Sequence, residues 1–83
     1  MANVVLPELG EGIEKATVAF WHCKVGDRVQ KDDEIVELVT DKATFNVSAG
    51  YDGTLRQILV PVGQEATIGQ PLALIEPLEL HSV

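Results

Sequence analysis

A single lysine lies in the middle of the stretch VTDKATFNV, residues 39–47. β-Forming residues on both sides predict a strand, a short turn and a second strand. Asp41 and Lys42 form the turn, with Thr40 and Ala43 at its corners, and aspartate at the first central position suits a type I turn. Lys42 then projects from the most exposed point of the hairpin. A primary amine on a long stem can be acylated to a stable amide; an unmodified surface lysine is the alternative interpretation.

The strands beside the turn predict which side chains are buried, because successive side chains of a strand point to opposite faces. Burial of Val36 and Leu38 exposes Glu37 and Val39. On the second strand the expected buried set is Ala43, Phe45 and Val47. A lone exposed valine needs no functional explanation. The alternative hypothesis is that Val39 contributes a small apolar contact to a partner enzyme.

The rest of the chain predicts an all-β domain. Runs of β-forming residues alternate with glycine-, proline- and aspartate-containing turns every 8–12 positions, and no stretch keeps helical periodicity over two or three turns. Many short strands of this spacing indicate a compact sandwich or flattened barrel. The expected strands are 4–6, 16–21, 28–30, 34–40, 43–47, 53–60, 65–67 and 72–76.

The two halves of the chain are weakly similar at an offset of 37 residues. Residues 25–29 align with 62–66, and Leu38 aligns with Ile75. The shared apolar pattern favours two halves packed as pseudo-symmetric sheets, with chance similarity as the alternative. At this offset the lysine turn aligns with residues 4–5 and 78–79. We therefore expect one pole to carry both termini and the other pole to present Lys42.

Composition limits the possible partners. The chain has 83 residues, of which 46% are hydrophobic, enough for one small domain with a core. A net charge of −7 argues against nucleic acid and anionic membranes and leaves partners with basic faces. The single cysteine, Cys23, cannot form an internal disulfide, which fits a reducing compartment. We expect neither a targeting segment nor a membrane span.

Three stretches together resemble a lipoyl domain. ELVTDKATFNV, with LPELGEGI before it and SAGYDGTL after it, is similar to the lipoyl domains of acyltransferase (E2) components of 2-oxo acid dehydrogenase complexes. The similarity extends from about Val4 to Glu76. It implies two four-stranded antiparallel sheets with lipoic acid attached by an amide to Lys42 on a hairpin turn. The domain would span residues 1–77, and residues 78–83 would be a tail or the start of a linker.

The resemblance implies a carrier domain that has no active site of its own. The lipoyl group on Lys42 would accept an acyl group from a thiamine-dependent E1 and pass it to coenzyme A at the E2 catalytic domain. The flavoprotein dihydrolipoamide dehydrogenase (E3) would then reoxidise it, so that the cofactor carries the chemistry and the protein positions it. The implied location is the bacterial cytoplasm, or the mitochondrial matrix in a eukaryote.

Recognition residues follow from the same resemblance. A lipoate ligase or lipoyl transferase would read Thr40, Asp41 and Ala43 around the lysine. The loop at residues 10–12 would lie beside the lysine turn, where Glu11 and Ile13 are expected to contribute to partner recognition. The family often has glutamate three residues before the lysine, where this chain has Val39. This difference leaves open which partner enzyme reads the surface.

Three other classes of protein remain as alternatives. A biotin carrier shares the fold but usually has methionine on both sides of its lysine, and Asp41 and Ala43 argue against it. A glycine-cleavage carrier is lipoylated but normally longer. An unmodified adaptor domain of a transport or fusion protein is the third. The sequence leaves open which 2-oxo acid is served and whether the chain is a whole protein or part of a longer E2.

The other candidate residues favour structural roles. His22 and Cys23 are sequence neighbours, so on a strand they would point to opposite faces and could not readily share a metal ion; a structural role is favoured. The acidic run at residues 32–34 is typical of a solvated turn. Phe20 and Trp21 cannot both point inward, so one is expected in the core and the other partly exposed. No nucleophile and base are suitably spaced for catalysis.

Overall fold

The computed structural model describes residues 1–77, which form eight β-strands and no helix. Within this range there is accordingly no helix long and apolar enough to cross a membrane. The predicted all-β class is confirmed, with strand ends that differ from the prediction by up to two residues. Residues 78–83, predicted to be a tail or linker, lie outside the described residues. The strands are β1 Ala2–Val5, β2 Lys15–Trp21, β3 Arg28–Val29, β4 Glu34–Val39, β5 Thr44–Ser48, β6 Gly53–Ile58, β7 Glu65–Thr67 and β8 Pro71–Pro77.

The strands form two four-stranded sheets in which every pairing is antiparallel. One sheet, in the order β1-β8-β6-β3, contains the first and last strands and is called the terminal sheet. The other, in the order β5-β4-β2-β7, leads into and out of the lysine turn and is called the lysine sheet. Apolar side chains from both sheets fill the space between them, and no polar or charged side chain of residues 1–77 is buried.

The predicted two-fold repeat is confirmed by the strand register. Each sheet has one irregularity between its two central strands, and the two lie 37 residues apart. In the lysine sheet the pairs are Val18↔Leu38 and Phe20↔Glu37; in the terminal sheet they are Leu55↔Ile75 and Gln57↔Leu74. The turn hydrogen bonds repeat as well, from Gly26 N to Leu55 O (2.7 Å) and from Gly63 N to Val18 O (2.8 Å). A chance similarity would not reproduce both register and turn contacts.

The first strand departs from this offset. Val5 pairs with Pro71 next to an irregularity at Leu72 of β8, as Ser48 pairs with Glu34 next to an irregularity at Ile35 of β4. Strand β1 therefore corresponds to β5 at an offset of 43 instead of 37. The predicted alignment of the lysine turn with residues 4–5 is wrong, because six additional residues lie between β1 and β2. They extend the loop that reaches Lys42.

The two ends of the described range, near Ala2 and Pro77, lie at the opposite end of the fold from the lysine turn, as the repeat predicts. Strand β5 leads away from the turn, and the chain then reaches Gly53, which pairs with Pro77 at the end of β8. Ala2 pairs with Ile75 near the same end of β8. The lysine turn is thus separated from both ends of the described chain by the length of the strands.

Gly53 gives a test of this packing. A Cβ atom at Gly53 would collide with the backbone carbonyl of Glu76, so we expect Gly53→Ala to lower the free energy of unfolding by about 2 kcal/mol through overpacking. Urea denaturation measures the change. Gly63→Ala is the control, because Gly63 has open space but a φ of +92°, which should cost about 1 kcal/mol. A loss at Gly53 no larger than at Gly63 would contradict the steric explanation.

Candidate functional site

The lysine turn is fixed by the hydroxyl group of Thr40. Thr40 Oγ1 accepts hydrogen bonds from the backbone N–H groups of Lys42 (3.2 Å) and Ala43 (3.0 Å). The same hydroxyl donates to the carbonyl of Ala43 (2.9 Å), which also accepts from the Thr40 N–H (2.9 Å). A threonine side chain that binds backbone groups in this way stabilises a turn locally. The position of Lys42 is therefore set by the residue two before it.

The backbone of the turn is compatible with the predicted type I geometry. No non-glycine residue within 1–77 has a positive φ, which excludes the type I′ and II′ turns that most two-residue hairpins use. Asp41 and Lys42 are both exposed. The amine of Lys42 is thus presented to solvent from the end of the hairpin.

The predicted alternation holds before the turn and fails immediately after it. Val36 and Leu38 are fully buried, and Val39 is 41% exposed, as predicted. Ala43, however, is exposed, and the prediction that it is buried is wrong. Strand β5 begins only at Thr44, because the hydrogen bonds with Thr40 keep Ala43 in the turn. Within β5, Val47 is buried as expected.

A shallow cleft of about 200 Å³ separates the lysine turn from the extended β1–β2 loop, and it is lined by Gly12, Ile13, Glu14, Lys15, Thr40, Asp41 and Lys42. The loop approaches the amine at Gly12, where a Cβ atom would lie 3.5 Å from Lys42 Nζ. Gly12 has a φ of +82°, a conformation that glycine adopts without strain. The predicted proximity of loop and lysine is thus found in the structure.

The two recognition residues predicted in the loop differ in position. Ile13 lines the cleft beside Lys42. Glu11 does not line that cleft; it lines a second depression, together with Glu8 and Thr67, and Ile13 contributes to both depressions. Ile13 therefore lies in the cleft beside Lys42, whereas Glu11 is not part of the lining of that cleft.

The charge of Lys42 is not neutralised by a neighbouring carboxylate in the described part of the chain. Lys15, at the other side of the cleft, has its Nζ 3.6 Å from an oxygen of Glu65. No carboxylate oxygen of residues 1–77 lies within 4 Å of Lys42 Nζ. Acylation of Lys42 therefore breaks no ion pair among these residues.

The outer face of the lysine sheet carries an aromatic cluster that the sequence did not reveal. The Phe20 ring packs edge-on against His22, with ring centroids 5.2 Å apart, and His22 Nε2 lies 3.1 Å from Asn46 Oδ1. Phe20 is 54% exposed. Trp21 instead packs against the core and donates from Nε1 to Val60 O at 3.0 Å. The irregularity between Val18 and Phe20 decides which aromatic residue is exposed, and alternation alone cannot show it.

The surroundings of Cys23 disfavour its thiolate form. Partial burial raises the pKa of its thiol, and the carboxylates of Asp27 and Asp33 raise it further. The thiol therefore stays protonated and is a poor nucleophile. Residues 1–77 also contain no group of three histidine, cysteine or acidic side chains placed to hold a metal ion.

An all-β sandwich that presents one exposed lysine from a fixed hairpin turn is the architecture of a domain that carries a covalently attached group. The biotin/lipoyl family model, described as "Biotin-requiring enzyme", matches residues 2–75. The lipoyl domain of the 2-oxoglutarate dehydrogenase complex from Azotobacter vinelandii superposes with a TM-score of 0.72 at 33% identity. This superposition covers 92% of this chain and 96% of that domain.

Similar stretches occur in E2 components. The dihydrolipoyllysine-residue succinyltransferase component of the 2-oxoglutarate dehydrogenase complex of Rickettsia typhi is 36% identical over 76 residues, covering 92% of this chain and 19% of that protein. Its counterpart in Buchnera aphidicola is 44% identical over 73 residues, covering 88% and 17%. The bovine mitochondrial lipoamide acyltransferase component of the branched-chain alpha-keto acid dehydrogenase complex is 38% identical over 71 residues, covering 86% and 15%.

The chain spans less than a fifth of the length of these curated relatives. It belongs to the biotin/lipoyl family and is a lipoyl domain of the E2 type, which confirms the resemblance seen in the sequence.

The hydrogen bonds of Thr40 give a test of the site. Thr40→Val keeps the shape of the side chain but removes the hydroxyl. We expect it to lower the free energy of unfolding by about 1 kcal/mol and to slow modification of Lys42, because the turn is no longer fixed. Urea denaturation and the initial rate of lipoylation by a purified lipoate ligase measure the two effects. Thr40→Ser, which keeps the hydroxyl, should retain most of the free energy of unfolding and most of the lipoylation rate. Equal behaviour of the two variants would contradict the role given to the hydroxyl.

Proposed function

We propose that this chain is the lipoyl carrier of a 2-oxo acid dehydrogenase complex, with lipoic acid linked to Lys42 Nζ by an amide. The observation that carries the proposal is the exposed amine of Lys42 at the tip of a turn fixed by Thr40. The open cleft beside it leaves room for an extended side chain. The similarity to E2 components over 86–92% of the chain supports the choice of carrier class.

The surroundings of Lys42 leave its amine accessible for amide formation. The lysine side chain and the lipoyl group attached to it are called the arm. The amine is solvent-exposed and forms no ion pair with residues 1–77, so an enzyme has access to it. Amide formation removes the positive charge and lengthens the side chain. When bound, the lipoyl group supplies a disulfide that accepts an acyl group as a thioester and carries two electrons as a dithiol. The domain itself contributes no acid, base or nucleophile to these steps, and its role is to hold the attachment point.

The position of the attachment point explains how one domain can serve several enzymes. Lys42 lies at the opposite end of the fold from Ala2 and Pro77. A chain tethered through these ends would present the arm outward, and tethering raises the effective concentration of the arm at each active site. The proposed partners are a thiamine-dependent E1, the E2 catalytic domain, the flavoprotein E3 and the lipoate ligase or lipoyl transferase that modifies Lys42.

The 2-oxo acid whose dehydrogenase complex this chain serves can be identified by experiment. The relatives include components of 2-oxoglutarate and branched-chain complexes with similar identity. The lipoylated chain is therefore offered to purified E1 enzymes for pyruvate, 2-oxoglutarate and branched-chain 2-oxo acids, and the acylated mass is read from the intact chain. Acylation by none of the three would overturn the proposed function.

The location of the protein in the bacterial cytoplasm or in the mitochondrial matrix stays a prediction.

A biotin carrier is the second candidate, since the matching family includes biotin-dependent enzymes. Asp41 and Ala43 stand where biotin carriers usually have methionine. Expression with both lipoic acid and biotin, followed by intact mass measurement, separates the two modifications. The proposed function requires the mass of one lipoyl group and no biotin.

Lys42 is expected to be the only modified lysine. Lys15, Lys24 and Lys31 are not at a hairpin tip, so a ligase should leave them unmodified. Lys42→Gln should abolish modification while it changes the free energy of unfolding by less than about 0.5 kcal/mol, as expected for an exposed site. Peptide mapping and urea denaturation measure these outcomes. A lipoyl group on any of the other three lysines would contradict the assignment.

The residues on either side of Lys42 are expected to select the cofactor. Asp41 and Ala43 are both exposed, so Asp41→Met combined with Ala43→Met should leave the fold intact and allow a biotin ligase to modify Lys42. Streptavidin blotting measures the change. The same double substitution with Lys42→Gln is the control and should remain unmodified. A folded double variant without biotin would show that other residues select the cofactor.

A further inference from the structure

One aspartate of the chain is followed by glycine, and it lies at the opposite end of the fold from Lys42. Of the five aspartates only Asp52 has glycine as the next residue. Asp52 is exposed and directly precedes β6, whose first residue is Gly53. The amide nitrogen after an aspartate can attack the carboxyl carbon of that aspartate. Glycine permits the attack most readily, because it has no side chain in the way and its backbone is the least restricted.

This attack rearranges the backbone in two steps that need no reactant other than water. In the first step a bond forms between the Gly53 nitrogen and Cγ of Asp52. The carboxyl group and the amide proton together lose one water, which leaves a five-membered succinimide ring. In the second step water opens the ring at one of its two carbonyl carbons. One opening restores aspartate, and the other leaves the chain joined through Cγ as isoaspartate, with one additional backbone atom.

Packing keeps glycine at position 53 although glycine makes the preceding aspartate labile. A Cβ atom at Gly53 would collide with the backbone carbonyl of Glu76. Gly53 is buried and pairs with Val29 on one side and with Pro77 on the other. A side chain that would slow the attack does not fit at this position. Protection of Asp52 therefore depends on other contacts.

A hydrogen bond from the turn between β3 and β4 holds the Asp52 carboxylate. The Lys31 N–H donates to Asp52 Oδ1 at 2.7 Å. The turn itself is closed without Asp52, because Asp33 N donates to Gln30 O (3.0 Å) and Gln30 N donates to Asp33 Oδ2 (2.9 Å). The rearrangement requires the Asp52 side chain to turn towards the Gly53 nitrogen, whereas this hydrogen bond directs one of its oxygens towards Lys31.

The same turn also holds the backbone of the connection between β5 and β6. Ala49 N donates to Asp33 O and Gly50 N donates to Lys31 O, both at 2.9 Å. A local opening that separates the turn from the connection must break these bonds, and such openings cost free energy. Asp52 is thus protected as long as the turn and the connection stay together.

We propose that Asp52–Gly53 is a site of spontaneous aspartate isomerisation that the backbone N–H of Lys31 suppresses in the folded chain. Isoaspartate at position 52 inserts its additional atom directly before Gly53, where β6 lies between β3 and β8. Gly53 has no room to shift against Glu76, so the isomerised chain is less stable than the original. Lys42 is far from this site, so its modification is unaffected, and the proposal does not depend on the carrier function.

Lys31→Pro removes the protecting hydrogen bond and preserves the turn. Lys31 is the first central residue of the turn at residues 30–33, and the absence of positive φ at non-glycine residues is compatible with type I geometry. Proline is favoured at this position of a type I turn and has no backbone N–H. Lys31→Ala is the matched control, because it also loses the side-chain amine but keeps the N–H.

The folded chains are incubated under identical conditions. Isoaspartate is then quantified with an isoaspartyl carboxyl methyltransferase and located by peptide mapping. We expect Lys31→Pro to form isoaspartate about tenfold faster than wild type, equivalent to about 1.4 kcal/mol, and Lys31→Ala to match wild type. Urea denaturation establishes that the unfolded fraction of each variant is too small to account for the difference. Equal rates for Lys31→Pro and Lys31→Ala would overturn the role of the N–H.

The wild-type chain supplies a measurement that does not depend on the folding of a variant. In denaturing urea the hydrogen bond and the strand pairing are absent, so isoaspartate should form faster than in the folded chain and should map to Asp52. Asp52→Glu is the control in urea and should remove the signal, because its longer side chain would have to close a six-membered ring. Equal rates in the folded and denatured wild-type chain would overturn the protection, and isoaspartate at another aspartate would overturn the site.

Discussion

Packing of the two sheets against each other fixes the strand register and, through it, the placement of the lysine turn. The buried side chains are all apolar within residues 1–77, so the hydrophobic effect holds the sheets face to face. Because strand side chains alternate, a slip of one residue in β4 would turn Leu38 outward and Val39 inward. The irregularities at matching places in both sheets lock the register against such a slip. The exposure of Val39 and the placement of the lysine turn are therefore consequences of the core.

The repeat gives a nearly symmetric framework, and the functional features lie where the symmetry is broken. Six additional residues lengthen the β1–β2 loop and bring Gly12 and Ile13 beside Lys42. The ion pair of Arg56 and Glu76 on the terminal sheet has no counterpart on the lysine sheet, where Val39 lies instead. The loop and Val39 lie at the end of the fold that carries Lys42, whereas the ion pair lies at the opposite end. The symmetric parts supply stability, whereas the asymmetric parts distinguish one end from the other.

Sequence reasoning recovered the features that depend on local pattern. Alternation and turn spacing predicted the all-β class, the exposure of Val39 and the placement of Lys42 at the hairpin. Sequence reasoning failed where a hydrogen bond or an inserted residue interrupts the alternation of side chains along a strand. Ala43 is exposed because the Thr40 hydroxyl holds it in the turn, and Phe20 rather than Trp21 points outward because of the irregularity after Val18. The offset of 43 for β1 becomes visible only from the pairing of Val5 with Pro71.

The acidic character of the chain affects the outer face of the lysine sheet, where Phe20 and Val39 are exposed. A net charge of −7 makes copies of the chain repel one another, and this repulsion opposes contacts between copies through the exposed Phe20 and Val39. The same charge attracts a partner with a basic surface and raises the rate of encounter without requiring a large interface. The proposed amide at Lys42 would remove a positive charge close to Asp41 and strengthen this bias. The proposed modification would thus make the surface around the lysine turn more acidic and, on the carrier proposal, more attractive to a partner with a basic face.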